Sequence, residues 1–185
     1  SYDLGDVMYD FTLTDINGDD YKLSELLKTK DMVMLNFWYV DCPNCAYEFP
    51  YINRVYEEYK DDIAILGIND YPDDVVADIK DYDGYLHNYY GVMEEGETLN
   101  IPLFKVGNGE NDLTLSRFPS EGYPTTVIID RYGVITMIEV GAVLGESKWQ
   151  NVFDYFVGDD YKQVLIDNPE MLNPKIEPTI QWTDS

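Results

Sequence analysis

The sequence predicts an α/β chain: a central mixed β-sheet flanked by helices. Three stretches carry that expectation. Met32 to Val40 is an apolar and aromatic run that breaks into Cys42-Pro-Asn-Cys45 and then into a helix pattern, as a central strand buried on both faces does before its helix. Ile63-Ala-Ile-Leu-Gly-Ile68 repeats the apolar character, so strand, helix and strand form a parallel unit with a right-handed crossover. Thr125-Thr-Val-Ile-Ile-Asp130 and Val134 to Val140 flank Arg131-Tyr-Gly133, an antiparallel hairpin. Parallel and antiparallel pairs together make the sheet mixed.

The elements follow in order. Residues 7–23 read as an N-terminal β-hairpin, because Phe11-Thr-Leu-Thr alternates, Asn17-Gly18 signals a turn and Tyr21-Lys-Leu resumes the strand. Ser24 before Glu25-Leu-Leu27 predicts a short helix capped by Ser24. The helix from Pro43 to about Tyr59 sets Phe49, Ile52, Val55, Tyr56 and Tyr59 near one face, and Pro50 is expected to kink it. Residues 71–91 place Val75, Val76, Ile79, Tyr82 and Leu86 at helical spacing, with Gly91 as the stop. The stretch 94–121, rich in Gly, Asn and charge, reads as an enlarged, exposed, insertion-like segment with short strands at 101–106 and 113–115. Pro124 heads the strand that follows, either as an edge-strand start or in a cis bond; few X–Pro bonds are cis, which favours the first option on the residues alone. Residues 145–157 return to helical spacing through Trp149, Val152, Phe153 and Phe156. Residues 1–158 therefore form one domain, and 159–185, interrupted by Pro169, Pro174 and Pro178, form a C-terminal extension without a long helix.

The composition narrows the function classes. Asp and Glu total 36 against 12 Lys and Arg, a formal charge of −24, which repels nucleic acid and anionic lipid. The excess reads mainly as a solvated surface; attraction to basic partners has little positional support in the sequence. No stretch approaches the roughly 18 apolar residues of a membrane span. The start at Ser1 rather than Met is compatible with a leader or anchor removed from it. The only two cysteines lie in one motif, so no structural disulfide framework is expected.

That motif carries the chemistry. Pro43 suits the first turn of a helix, which places Cys42 at the helix N-terminus, where unpaired N–H groups and the helix dipole favour a thiolate. Cys42 is the candidate nucleophile. Cys45 lies about one turn on, within reach of a disulfide with it. Cys45 needs a base, and Glu48, a further turn along, is placed to serve; the plainer reading makes it a solvent-exposed helix residue. Asp41 disfavours the Cys42 thiolate and so opposes the helix terminus. Trp38 reads as core packing that could also reach a substrate beneath the cysteines.

Taken together, Asn36-Phe-Trp38, Cys-x-x-Cys, Glu48-Phe-Pro50, Gly122-x-Pro-Thr-Thr126 and Ile129-Asp-x-x-Gly-x-Ile135 resemble the TlpA/ResA branch of thioredoxin-like thiol–disulfide oxidoreductases, over roughly residues 7–157. The resemblance implies a thioredoxin-like fold, a cis bond at Tyr123–Pro124 against the cysteines, and disulfide exchange outside the cytoplasm, commonly on a tethered protein. It implies no cofactor beyond the Cys42–Cys45 disulfide, and as partners protein thiols or disulfides with an upstream redox donor or acceptor. Cys42, Cys45, Glu48 and Pro124 are then the catalytic set, and Trp38, Asp41, Pro43, Asn44 and Tyr123 meet the substrate, with the main-chain edge at Tyr123 pairing with an extended peptide. Asp41 departs from the Trp usual in this branch, and Pro43-Asn44 from its commoner pairs, so the direction of electron flow stays open.

Two other classes compete. A copper-binding chaperone of related fold would use both cysteines and a His; the only His is His87, which reads as an ordinary helix-surface residue. A peroxiredoxin-like peroxidase would keep Pro-x-x-x-Thr-x-x-Cys, whereas Cys42 stands where Thr would.

Overall fold

The computed structural model describes residues 1–107 and 112–158. The predicted C-terminal extension lies outside the described residues. β3 (Met32–Trp38) is the middle of a five-stranded sheet of order β5-β4-β3-β6-β7. It runs parallel to β4 (Ile63–Asn69) and antiparallel to β6 (Thr125–Asp130), which pairs antiparallel with β7 (Ile135–Val140). β5 (Leu103–Lys105) adds a parallel edge to β4. The fold class is as expected, including the small antiparallel sheet of β1 (Thr12–Thr14) and β2 (Asp20–Lys22).

All seven residues of β3 are buried, and the alternation of a strand sends them to two cores. Met32, Met34 and Trp38 join Phe49, Ile52 and Val55 of α2 (Pro43–Tyr59) and Trp149, Phe153 and Phe156 of α5 (Glu146–Val157). Val33, Leu35 and Phe37 pack on the other face against Leu13, Leu23, Phe104 and Phe118. Asn36 has the parity of the α2 side, which puts an amide into an otherwise apolar layer.

The structure departs from the sequence reading in three places. α1 (Leu23–Leu26) begins two residues early, and Ser24 does not cap it; its amide and hydroxyl bind the Asp10 carboxylate at 2.9 and 2.7 Å. The helix read over 71–91 is broken into α3 (Val76–Lys80), α4 (Tyr82–Gly84) and a π-helical turn at Tyr85–Tyr89. Ile79, Tyr82 and Leu86 of that pattern are buried, whereas Val75 and Val76 face solvent, so the spacing found the buried face without the helix being continuous. Finally, 94–121 is not exposed throughout: Ile101, Leu103, Phe104, Leu113, Leu115 and Phe118 are buried, and 113–115 leads into a 3₁₀ turn (Leu115–Arg117) instead of forming a strand. Gly67 admits this edge, since a Cβ there would stand 2.8 Å from Leu103 Cδ2 and 3.4 Å from Trp38 Nε1.

Tyr82 is fully buried, packs against Trp38 with ring centroids 4.1 Å apart and planes tilted by 38°, and its hydroxyl has no hydrogen-bond partner among the described residues. A buried, unpaired hydroxyl costs free energy that a phenyl ring does not. Tyr82→Phe is expected to stabilise the protein by about 1 kcal/mol, read from denaturant midpoints; a loss of stability would show that the hydroxyl is satisfied in solution.

Candidate active site

Cys42 takes extended backbone angles (φ −96°, ψ 102°) as the N-cap of α2, with Pro43 following inside the first turn. Its Sγ accepts the Cys45 amide at 3.2 Å, the usual task of a capping oxygen performed here by sulfur. Cys42 and Cys45 are joined as a disulfide with Cα atoms 5.3 Å apart. Both are buried, while Asp41, Pro43 and Asn44 between and beside them are exposed. Those three side chains are the exposed surface next to the disulfide.

The segment entering the motif is held from β4 and the following loop. The Val40 amide donates to Asp74 Oδ2 at 2.7 Å, the same oxygen takes Asn69 Nδ2 at 2.8 Å, and the Tyr90 hydroxyl donates to the Val40 carbonyl at 2.6 Å. Tyr39 stacks on Tyr71 (4.5 Å, 21°) and meets Tyr123 edge-on at 5.3 Å. The Tyr123 hydroxyl donates to Asp70 Oδ1 at 2.6 Å. None of Tyr39, Asp70, Tyr71, Asp74 or Tyr90 stood out in the sequence, because the contacts that tie them to Tyr39, Val40 and Tyr123 span 32 to 53 residues and no local pattern marks them.

The Tyr123–Pro124 bond is cis, as the resemblance implies and against the plainer reading of the residues alone. Phe37 pairs with Thr125, so Pro124 lies one step beyond, level with Trp38 at the end of the sheet that also delivers Cys42. Its carbonyl accepts the Gly141 amide at 2.8 Å. Trp38 itself has no exposed surface and packs edge-on to Phe49 at 5.3 Å. It is a floor beneath the site, which corrects its reading as a substrate contact.

Glu48 is buried at 1% exposure, not on a solvent face. Oε1 accepts Asn36 Nδ2 at 2.9 Å, and Oε2 accepts the Val143 amide at 2.6 Å. Asn36 Nδ2 also reaches Thr126 Oγ1 at 3.2 Å, across the β3–β6 register. Burial raises the Glu48 pKa from 4.5 to about 7; the bonds from Val143 and Asn36 oppose the rise, and the nearby Glu139 charge adds to it. A carboxyl that titrates near neutrality, three residues after Cys45 on one helix, has the proton affinity that acid–base work at neutral pH requires. Two signals for this burial were present in the chain: Cys45, Glu48, Phe49, Ile52 and Val55 follow the i, i+3, i+4, i+7 spacing of one helix face, and Asn36 interrupts an apolar strand on the side that α2 covers.

His87, the candidate copper ligand, sits in the π-helical turn with Nε2 2.7 Å from the Glu97 carbonyl. That contact requires a proton on Nε2, which leaves Nδ1 as the only ring nitrogen able to ligate a metal.

Comparison with known proteins places this geometry. The family model described as AhpC/TSA family matches residues 4–138. The chain belongs to the AhpC/TSA family. Within it, the chain is 30% identical over 145 residues to the thiol-disulfide oxidoreductase ResA of Geobacillus kaustophilus, covering 78% of this chain and 73% of that protein. It is 29% identical over 160 residues to the thiol:disulfide interchange protein DsbE of Pseudomonas aeruginosa, covering 86% and 76%. Among solved structures, the pneumococcal exposed lipoprotein thioredoxin Etrx1 of Streptococcus pneumoniae superposes with a TM-score of 0.57 at 25% identity, covering 77% of this chain and 97% of that one. The thioredoxin-like fold and the thiol–disulfide oxidoreductase resemblance read from the motifs are thereby borne out. This AhpC/TSA member contains, among its described residues, no helix long and apolar enough to cross a membrane.

Proposed function

We propose that this thiol–disulfide oxidoreductase exchanges disulfides with protein partners outside the cytoplasm through Cys42 and Cys45. The observation that carries the reading is the pairing of a helix-capping cysteine in a disulfide with a buried carboxyl of pKa about 7 one turn beyond it. In the reducing direction the Cys42 thiolate attacks one sulfur of a substrate disulfide. A Cys42–substrate bond forms and the other substrate sulfur leaves as a thiolate. Glu48 takes the proton of the Cys45 thiol, the Cys45 thiolate attacks Cys42 Sγ, and the second substrate sulfur departs. Two electrons pass to the substrate, and Cys42–Cys45 ends as the disulfide seen in the structure. The oxidising direction is the reverse. Either way a second thiol or disulfide protein must reset the pair, and the chain's own sulfurs supply the redox chemistry without a cofactor.

Exposed Asp41, Pro43 and Asn44 frame the approach to Cys42, and the Pro124 turn at the same end of the sheet offers main chain beside it. The description of Etrx1 as an exposed lipoprotein supports the extracytoplasmic placement. Protein-disulfide reduction by the purified chain, driven by a small thiol, together with the reduction potential of the Cys42–Cys45 pair, tests the reading. A pair that cycles and accelerates exchange is expected. An inert pair, or peroxide consumption without exchange, would overturn it.

A further inference from the structure

We propose that Asn36 is a positioning residue for Glu48: its amide donates to the ionised carboxylate and reverses, presenting Oδ1, when Glu48 takes up the proton of the Cys45 thiol. The inference deepens the exchange reading and rests on it for its place in the resolving step. Asn36 is 1% exposed on β3, and Thr126, its register partner on β6, has no exposed surface. One Asn36 Nδ2–H serves Glu48 Oε1 at 2.9 Å and the other Thr126 Oγ1 at 3.2 Å, while Asn36 Oδ1 is buried with no hydrogen-bond partner among the described residues. The second carboxylate oxygen, Oε2, takes the Val143 amide at 2.6 Å. The carboxyl is thus held by one donor that is fixed and one that is not. A backbone N–H never accepts, whereas a primary amide has donors at one end and an acceptor at the other.

That difference decides where the proton goes. On Oε2 it would face the Val143 N–H, donor against donor, so it settles on Oε1. There it meets the Asn36 NH₂ unless the amide turns over. After the turn Oδ1 accepts the Glu48 O–H, and the Thr126 hydroxyl, able to donate as well as accept, donates to the same oxygen. Turning costs no bond at the far end of the amide, where Oδ1 has none to lose among the described residues. In the step itself the Cys45 S–H bond breaks, its electron pair stays on sulfur as the thiolate, and the proton forms the O–H bond at Glu48 Oε1. The titratable groups facing Glu48 are Cys45, one turn back on α2, and Glu139 of β7, whose Oε1 lies 3.9 Å from Lys148 Nζ of α5. The strands β3 and β6 contribute the neutral Asn36 and Thr126. A carboxyl raised by burial to about 7 changes charge near neutral pH, and a reversible amide, unlike an apolar neighbour, serves both of its forms.

The reversal is read on the oxidised protein, where neither cysteine titrates and no substrate is needed. The side-chain NH₂ of Asn36 and the carboxyl carbon of Glu48 are followed by NMR from about pH 5 to about pH 9, a range that spans a carboxyl shifted to neutrality. Both are expected to titrate with one midpoint. The nuclear Overhauser contact between the Asn36 NH₂ and the Thr126 methyl, present at the alkaline end, should vanish at the acid end. In Glu48→Gln, whose amide imitates the protonated carboxyl, the Asn36 signals should hold the acid-end position throughout. Resolving kinetics supply the second readout. A hydrogen bond to an ionised group is stronger than one to a neutral group, so Asn36→Leu, which suits the apolar layer, should move the inflection of the resolving rate up by about one pH unit. Thr126→Val, of equal shape, should move it the same way by less, and Thr126→Ser, which keeps the hydroxyl, should hold the parent's midpoint. Asn36 signals that ignore the Glu48 midpoint, or an Asn36→Leu inflection at or below the parent's, would overturn the inference. Should Asn36→Leu fail to fold, the NMR titration and the Thr126 pair decide. A parent that does not exchange while its Asn36 amide reverses with Glu48 counts against the exchange reading alone.

Discussion

Cys42→Ser is expected to abolish disulfide exchange, whereas Cys45→Ser should leave the first attack intact and trap the protein in a covalent complex with its substrate. The asymmetry follows from the two environments. Cys42 caps α2, so its sulfur faces the unpaired amides and positive end of the helix, which stabilise the thiolate that attacks. Cys45 lies inside the first turn with no exposed surface, so a substrate sulfur cannot reach it before Cys42 has been engaged. Loss of the nucleophile removes essentially the whole rate. Loss of the resolving thiol stops turnover after one event, which a non-reducing gel followed by mass analysis detects as a mixed disulfide at Cys42. Exchange surviving in Cys42→Ser while Cys45→Ser is dead would reverse the assignment.

Replacing Glu48 with Gln is expected to slow the resolving step and, at alkaline pH, to make the protein more stable. The carboxyl is raised from 4.5 to about 7 by burial. Between those values the native protein holds a proton that the unfolded chain has released. The stability this group contributes is therefore fully present below about pH 4.5 and is lost as pH rises through about 7. A displacement of that size corresponds to about 3 kcal/mol, so Glu48→Gln should gain up to that amount over the parent at pH 8 and show little difference at pH 4. The amide also fits the site: its oxygen can take the Val143 amide, and its NH₂ can face the Asn36 carbonyl, which has no partner among the described residues once the Asn36 amide turns over.

Activity moves the other way. The resolving rate of the parent should rise with pH through about 7 as Glu48 becomes able to accept the Cys45 proton. In the variant that inflection disappears, and the step slows by about 10²-fold or more. A variant that is more stable at pH 8 yet slower to resolve separates proton handling from packing. An unchanged pH–rate profile would reduce Glu48 to a buried structural carboxyl.

What the sequence by itself determined is what short-range physics writes into short-range patterns. The β3–α2–β4 unit was legible because an apolar run, a proline in the first helical turn and a 3.6-residue repeat are each decided within about a dozen residues. The cysteine at the α2 N-terminus, with its partner one turn on, was legible for the same reason, and Glu48 was placed a turn further by spacing alone. Only the tertiary structure decided the environments. Glu48 is a buried carboxyl near neutrality instead of a surface residue because α2 lies on Asn36 of β3 and the Val143 amide closes over it, contacts that span 12 and 95 residues. Trp38 is a floor and not a contact because Tyr82 and Phe49 cover it. The stretch 94–121 joins the sheet because a glycine at position 67 lets β5 approach. Burial and electrostatic reach depend on what packs across the chain, and a local pattern carries no record of that.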